Sequence, residues 1–184
     1  MVDPVIVGPK INVKFSRVLI DNGSSINIMY KDTKEKLGIT KTMLTATETT
    51  FHGIVSGLSC TPMGKTWLDV LFGGKDNSRC ERLVFQVVDL KSPYHALLGR
   101  TALAKFMAST HVPYLKMKMP GRGGVITIVG DYRKSLECAS DGSKLAEAMV
   151  IATEKKRIAE VVALAQTVKL EEPATFAPLS GMAF

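Results

Sequence analysis

The chain is poor in cysteine. Cys60, Cys80 and Cys138 are the three in 184 residues, an odd number with no CxxC pair. That spacing excludes a disulfide framework and points to a reducing compartment, so an intracellular, cytoplasmic location is expected. Histidine is as sparse: His52, His95 and His111 have no ligand-like spacing, so no metal site is expected. His95 reads as a packed or edge side chain rather than a catalyst. The first residues lack a signal-peptide pattern, and Lys155-Lys156-Arg157 interrupts the one long helical stretch, which excludes a membrane span. The glycine cluster Pro120-Gly121-Arg122-Gly123-Gly124 lacks a terminal Gly-Lys-Ser/Thr and a following helical pattern, which excludes a phosphate-binding loop. Zinc-knuckle spacing and interleaved aromatics are also missing. The net charge of +7 therefore reads as a solvated basic surface with no more than weak nucleic-acid contact.

What is present fits one small core with an extension. A 46% hydrophobic and 22% charged composition is ordinary globular usage, and 184 residues leave room for one lobe. Val5-Ile6-Val7 and Ile11 to Phe15 read as an opening hairpin around Gly8-Pro9, and Tyr30 to Leu37 as a short helix stopped by Gly38. Thr47 to Val55 and Gly64 to Phe72 read as the two strands of a hairpin joined by Ser56 to Pro62, Leu83 to Leu90 as a central apolar strand, and Val112 to Met119 with Val125 to Val129 as a last hairpin. The fold class expected is mostly β. From about Ser140 the composition turns to Ala, Leu, Glu and Lys, which predicts a long helix over Lys144 to Leu170 with Ser143 as its N-cap and Asp141-Gly142-Ser143 as the turn before it. The expected domains are 1–138 and a helical extension, 139–184.

The most informative stretch is Val18-Leu19-Ile20-Asp21-Asn22-Gly23-Ser24-Ser25. An apolar strand runs into a carboxylate, so Asp21 is expected to be held rather than merely solvated. Gly23 offers backbone angles closed to other residues and a close approach to that carboxylate. Ser24 and Ser25 add donors, and hydroxyls and backbone N–H groups in such a loop fix one carboxylate oxygen and leave the other free. Asp-x-Gly is also ordinary turn chemistry. A second stretch, Tyr94-His95-Ala96-Leu97-Leu98-Gly99-Arg100, ends another apolar strand at a glycine, and Thr101 to Met107 after it reads as a short helix.

Taken in order, these elements resemble the retropepsin-like aspartic peptidases, most closely the protease region of plant gypsy-type long-terminal-repeat retrotransposon polyproteins. The resemblance spans about residues 5 to 135 and takes in Phe51-His52-Gly53, Val70-Leu71-Phe72-Gly73, Phe85 to Asp89 and Tyr114 to Pro120. It implies a single-lobe acid-protease β-barrel, closed, with short helices. Asp21 would be the catalyst, Asn22, Gly23, Ser24 and Ser25 its loop, and Leu97-Leu98-Gly99 the strand passing behind that loop. The hairpin bearing Gly53, Ile54, Val55, Ser56 and Gly57 would be a flap that closes over an extended peptide. Asn22 departs from the pattern: such peptidases carry Thr or Ser there, whose hydroxyl ties two subunits together.

Only one such acid loop is present, because Asp69, Asp76, Asp89, Asp131 and Asp141 lack its setting. A water attack that needs a paired acid and base then requires a second copy, so a homodimer is expected, with two Asp21 carboxylates meeting at its axis. Such a pair shares a proton and titrates as a unit. The ionised member takes a proton from water while the other donates to the peptide carbonyl, assistance worth about a hundred- to ten-thousandfold in rate. Such a mechanism requires no metal and no organic cofactor, and the implied substrate is an extended peptide or polyprotein. Two readings from other classes stay open: a catalytically inactive module of the same fold that dimerises or binds, favoured by Asn22, and a basic nucleic-acid-binding module, favoured only by charge.

Overall fold

The computed structural model describes residues 1–48, 51–55 and 58–168. The chain divides into two units, Met1–Ala146 and Glu147–Phe184. The first is mostly β, and its strands follow the apolar alternation of the sequence. In chain order they are β1 (Val5–Val7), β2 (Asn12–Lys14), β3 (Val18–Ile20), β4 (Ile28–Tyr30), helix α1 (Lys31–Lys36), β5 (Phe51–Val55), β6 (Leu58–Cys60), β7 (Gly64–Gly73), β8 (Ser78–Val88), β9 (Ala96–Leu98), helix α2 (Arg100–Phe106), β10 (Ser109–His111), β11 (Lys116–Gly121), β12 (Gly124–Val129) and helix α3 (Tyr132–Val168).

Seven strands form one sheet in the order β2-β1-β7-β8-β4-β9-β3, which places β8 at its centre. In β7 every second residue is buried, from Gly64 through Thr66, Leu68 and Val70 to Phe72, the two-residue period of a strand with one face on the core. The β7–β8 hairpin runs in unbroken register from Gly64↔Val87 to Gly73↔Ser78. An isolated bridge between Val2 and Val18 brings the β3 edge back to the chain leading into β1, and the sheet curls into a half-barrel. Ile6, Val18, Met29, Leu37, Val70, Leu83, Phe85, Val87 and Leu98 fill its concave core. Phe72 and Phe106 meet edge to face at 5.2 Å, packing α2 against the sheet. A second sheet, β10-β11-β12, covers the core with Met117, Met119 and Ile126.

Helix α1 ends at Lys36, one residue before the expected Leu37, which caps it, and Gly38 follows at φ +71°. Two expectations change. The strand at Gly64 does not pair with the strand ending at Val55; β5 pairs with β6 in a two-stranded sheet of its own, and β7 takes β1 and β8 as neighbours. The physical reason is that β7 buries four side chains, Thr66, Leu68, Val70 and Phe72, a position that the β5–β6 ribbon, with only three residues in its second strand, cannot fill. The last helix begins at Tyr132 rather than Lys144. Asp131 supplies the cap, its Oδ1 accepting from Lys134 N at 3.0 Å, so Asp141-Gly142-Ser143 lies inside the helix and the Ser143 hydroxyl donates back to Ala139 O at 3.1 Å. Cys138 on this helix is buried. In the second unit, Val150, Ile151, Ile158, Val161, Val162 and Leu164 are exposed.

Candidate active site

Strand β9 lies between β3 and β4, parallel to the first (Val18↔Ala96, Leu19↔Leu97, Ile20↔Leu98) and antiparallel to the second. Asp21 N donates to Leu98 O at 2.9 Å, extending the β3–β9 ladder one residue past the strand. The chain thus enters the loop with its backbone still held by the sheet, and Asp21 is half-buried at that end.

The carboxylate is fixed on one side. Gly23 N donates to Asp21 Oδ1 at 2.8 Å, and among the described residues no other hydrogen bond reaches the carboxylate. Oδ2 is left to a proton, a water or a second group. The serine hydroxyls do not do this work: Ser24 Oγ donates to Ile26 O at 3.0 Å and accepts from Ile26 N at 3.3 Å, while Ser25 is exposed. Gly23 also differs from expectation, since it is not one of the glycines with positive φ. Its value is space, because a Cβ there would stand 3.2 Å from Asp21 Oδ1.

Leu97, Leu98 and Gly99 pass directly behind this loop. A Cβ on Gly99 would overlap the Ile26 carbonyl oxygen and come within 2.7 Å of Ser24 O. Here glycine is required by a close backbone crossing. The crossing is locked by Arg100 N donating to Ser24 O at 2.8 Å and by Gly99 N donating to Asn27 Oδ1 at 2.9 Å. Asn27, only 4% exposed, also donates from Nδ2 to Val84 O at 2.9 Å and accepts at its own carbonyl from Gln86 N. Sequence reasoning missed it; the signal was a lone amide inside the apolar run Ile26 to Tyr30.

Asn22 is exposed, and its amide faces the Thr110 hydroxyl, Nδ2 donating to Oγ1 at 2.9 Å and Oδ1 lying 3.2 Å from it. Thr110 is the second residue the sequence did not single out. Of the residues expected to form a flap, Gly53, Ile54 and Val55 lie in β5, where the pairing with β6 shifts register between His52 and Val55; Ser56 and Gly57 fall outside the described residues. His95 packs on Phe15 at 5.2 Å, its Nδ1 buried with no hydrogen-bond partner among the described residues and its Nε2 3.5 Å from Arg17 Nη2. Burial, with Arg17 and Lys36 nearby, lowers its pKa to about 4, so the ring is neutral near pH 7. A hollow of about 280 Å³ lined by Gly8, Pro9, Met43, Trp67, Asp69 and Arg82 shares no residue with the acid loop. Among the described residues no His/Cys/Asp/Glu cluster could hold a metal, and no helix is long and apolar enough to cross a membrane.

Among solved structures, the chain is similar to the retroviral protease-like domain of Ddi1 from Leishmania major, with 15% identity over 70% of this chain and 91% of that chain and a TM-score of 0.47. It is also similar to a retropepsin-like aspartic protease from Rickettsia conorii, with 19% identity over 67% of this chain and 78% of that chain and a TM-score of 0.39. No protein-family model and no curated protein matches it.

Proposed function

We propose that this chain is a retropepsin-like aspartic endopeptidase that works as a homodimer, one Asp21 per copy activating water against a peptide carbonyl. The observation that carries the reading is the acid loop: a half-buried carboxylate at the end of a sheet strand, one oxygen held by Gly23 N, the other free, above a glycine crossing that admits no side chain. One such carboxylate is half of an acid–base pair. A second copy brings the other half, and close approach forces the two to share one proton. The ionised Asp21 then takes a proton from water as the protonated one donates to the carbonyl oxygen. The β5–β6 hairpin serves as the flap over an extended substrate. The natural substrate proposed is the polyprotein of a gypsy-type retrotransposon, on the ordered motifs from Val18 to Pro120. The chain is proposed to comprise a peptidase domain over 1–138 and a linker over 139–184, and to act in the cytoplasm.

The test is cleavage of a peptide library between about pH 4 and 7, wild type beside Asp21→Asn, with sedimentation of both. The expected result is a dimer whose cleavage falls by about a hundredfold or more in Asp21→Asn and is blocked by pepstatin-type inhibitors. Cleavage retained by Asp21→Asn ends the reading. A dimer that binds peptide and never cleaves assigns the inactive module instead.

A further inference from the structure

We propose that Thr110 is a positioning residue for the acid loop, holding Asn22 from a different sheet so that Asp21 is set within its own chain. The proposal rests on the peptidase reading of Asp21. Asn22 follows that carboxylate directly, and between Asp21 and Gly23 its side chain alone reaches another element. Its partner lies 88 residues away on β10. Of Ser109, Thr110 and His111, Thr110 alone is half-buried, standing opposite the buried Met117 on β11.

β10 is itself well anchored. On one side Ala108 N donates to Leu103 O at 2.9 Å, closing α2, and on the other Tyr114 N donates to His111 Nδ1 at 3.3 Å while the two rings stack at 4.4 Å. Threonine suits the role: its branched Cβ restricts χ1, and one hydroxyl can accept from Nδ2 or donate to Oδ1 of the facing amide. The side chain of Asn22 is therefore engaged inside one chain. The aim of the Asp21 carboxylate follows from the β3–β9 ladder behind it and from this tether beside it, before any second copy arrives.

The experiment compares wild type with Thr110→Val, which keeps the shape and removes the hydroxyl, Thr110→Ser, which restores it, Asn22→Ala, and the Thr110→Val/Asn22→Ala double variant. Peptide cleavage is read as separate kcat and KM, and amide hydrogen exchange is read at residues 22–24. Thr110→Val is expected to lower kcat by about five- to tenfold with KM within about twofold, and to speed exchange at Gly23 by a similar factor, the effect of one net hydrogen bond. Thr110→Ser recovers both, and the double variant loses no more than either single one. Thr110→Val that cleaves and exchanges like wild type overturns the proposal, as does a double variant whose losses add in full. If wild type itself cleaves nothing, the peptidase reading is what fails. Exchange then decides the tether alone: faster loop exchange in Thr110→Val with recovery in Thr110→Ser upholds it, and unchanged exchange overturns it.

Discussion

Replacing Gly99 by alanine puts one methyl group into the crossing behind the acid loop. That Cβ would overlap the Ile26 carbonyl oxygen, stand 2.7 Å from Ser24 O and 3.1 Å from the Ile26 carbonyl carbon. All three are backbone atoms, so no rotamer change relieves the overlap. Gly99 sits at φ −91°, ψ −169°, extended backbone open to any residue, so the penalty is steric rather than conformational. Relief has to come from moving the strand end away from the loop, which stretches the Gly99 N to Asn27 Oδ1 bond and the Arg100 N to Ser24 O bond. Overpacking costs about 1–3 kcal/mol, and a disrupted buried hydrogen bond about 1–3 kcal/mol more. The total, roughly 2–6 kcal/mol, is a large part of the ~5–15 kcal/mol that holds a domain together. At about 2–4 °C per kcal/mol, the melting temperature should fall by about 4–24 °C. Differential scanning calorimetry measures this, with Gly74→Ala as the control: a Cβ there meets nothing within 4 Å, so its change should stay within about 0.5 kcal/mol. A Gly99→Ala protein that melts within about 2 °C of wild type would refute the claim that the crossing leaves no room for a side chain.

Asn27→Leu should cost about 2–4 kcal/mol in urea unfolding, because Gly99 N and Val84 O both lose their partner in the interior. His95 links stability to acidity. Its folded pKa of about 4 lies below its ordinary value near 6.5, so between those values the unfolded chain binds more protons. Stability from this group is complete above about pH 6.5 and is lost as pH falls toward 4, by about 1–2 kcal/mol after allowing for the solvent-exposed part of the ring; a His95→Phe variant followed by chemical denaturation at pH 7 and pH 4.5 should lack this loss. Arg79 reaches Glu81, Pro120 O and Lys105 O at once, joining β8, β11 and α2. Lysine cannot reproduce that planar fork, so Arg79→Lys should destabilise by about 1–2 kcal/mol in the same assay, and an unchanged midpoint would show that the three contacts contribute nothing.

The elements that sequence reasoning located correctly share one property: their evidence is local. Val18-Leu19-Ile20 running into Asp21, the glycine stop after α1, the central apolar strand expected over Leu83 to Leu90 and found over Ser78–Val88, and the helix after Gly99 all announce themselves within about ten residues. The errors also have a local origin. Ser143 looks like a helix cap in isolation, yet Asp131 caps first, and helix propagation past Gly142 follows once the start is fixed upstream. The strand ending at Val55 is open, on local pattern, to pairing with any following strand, and three residues, Leu58 to Cys60, are too short to stand out.

The sequence by itself determined that an apolar strand ends at Asp21 and that an apolar strand of the same kind ends at Gly99, because alternation and turn chemistry depend only on neighbours along the chain. Only the tertiary structure decided that Gly99 lies under the Ser24 and Ile26 carbonyls, that Asn27 ties Gly99 to Val84, and that Asn22 meets Thr110. Those partners lie 57 to 88 residues apart, and which of them meet depends on the order in which strands enter the sheet, a property that no local pattern encodes.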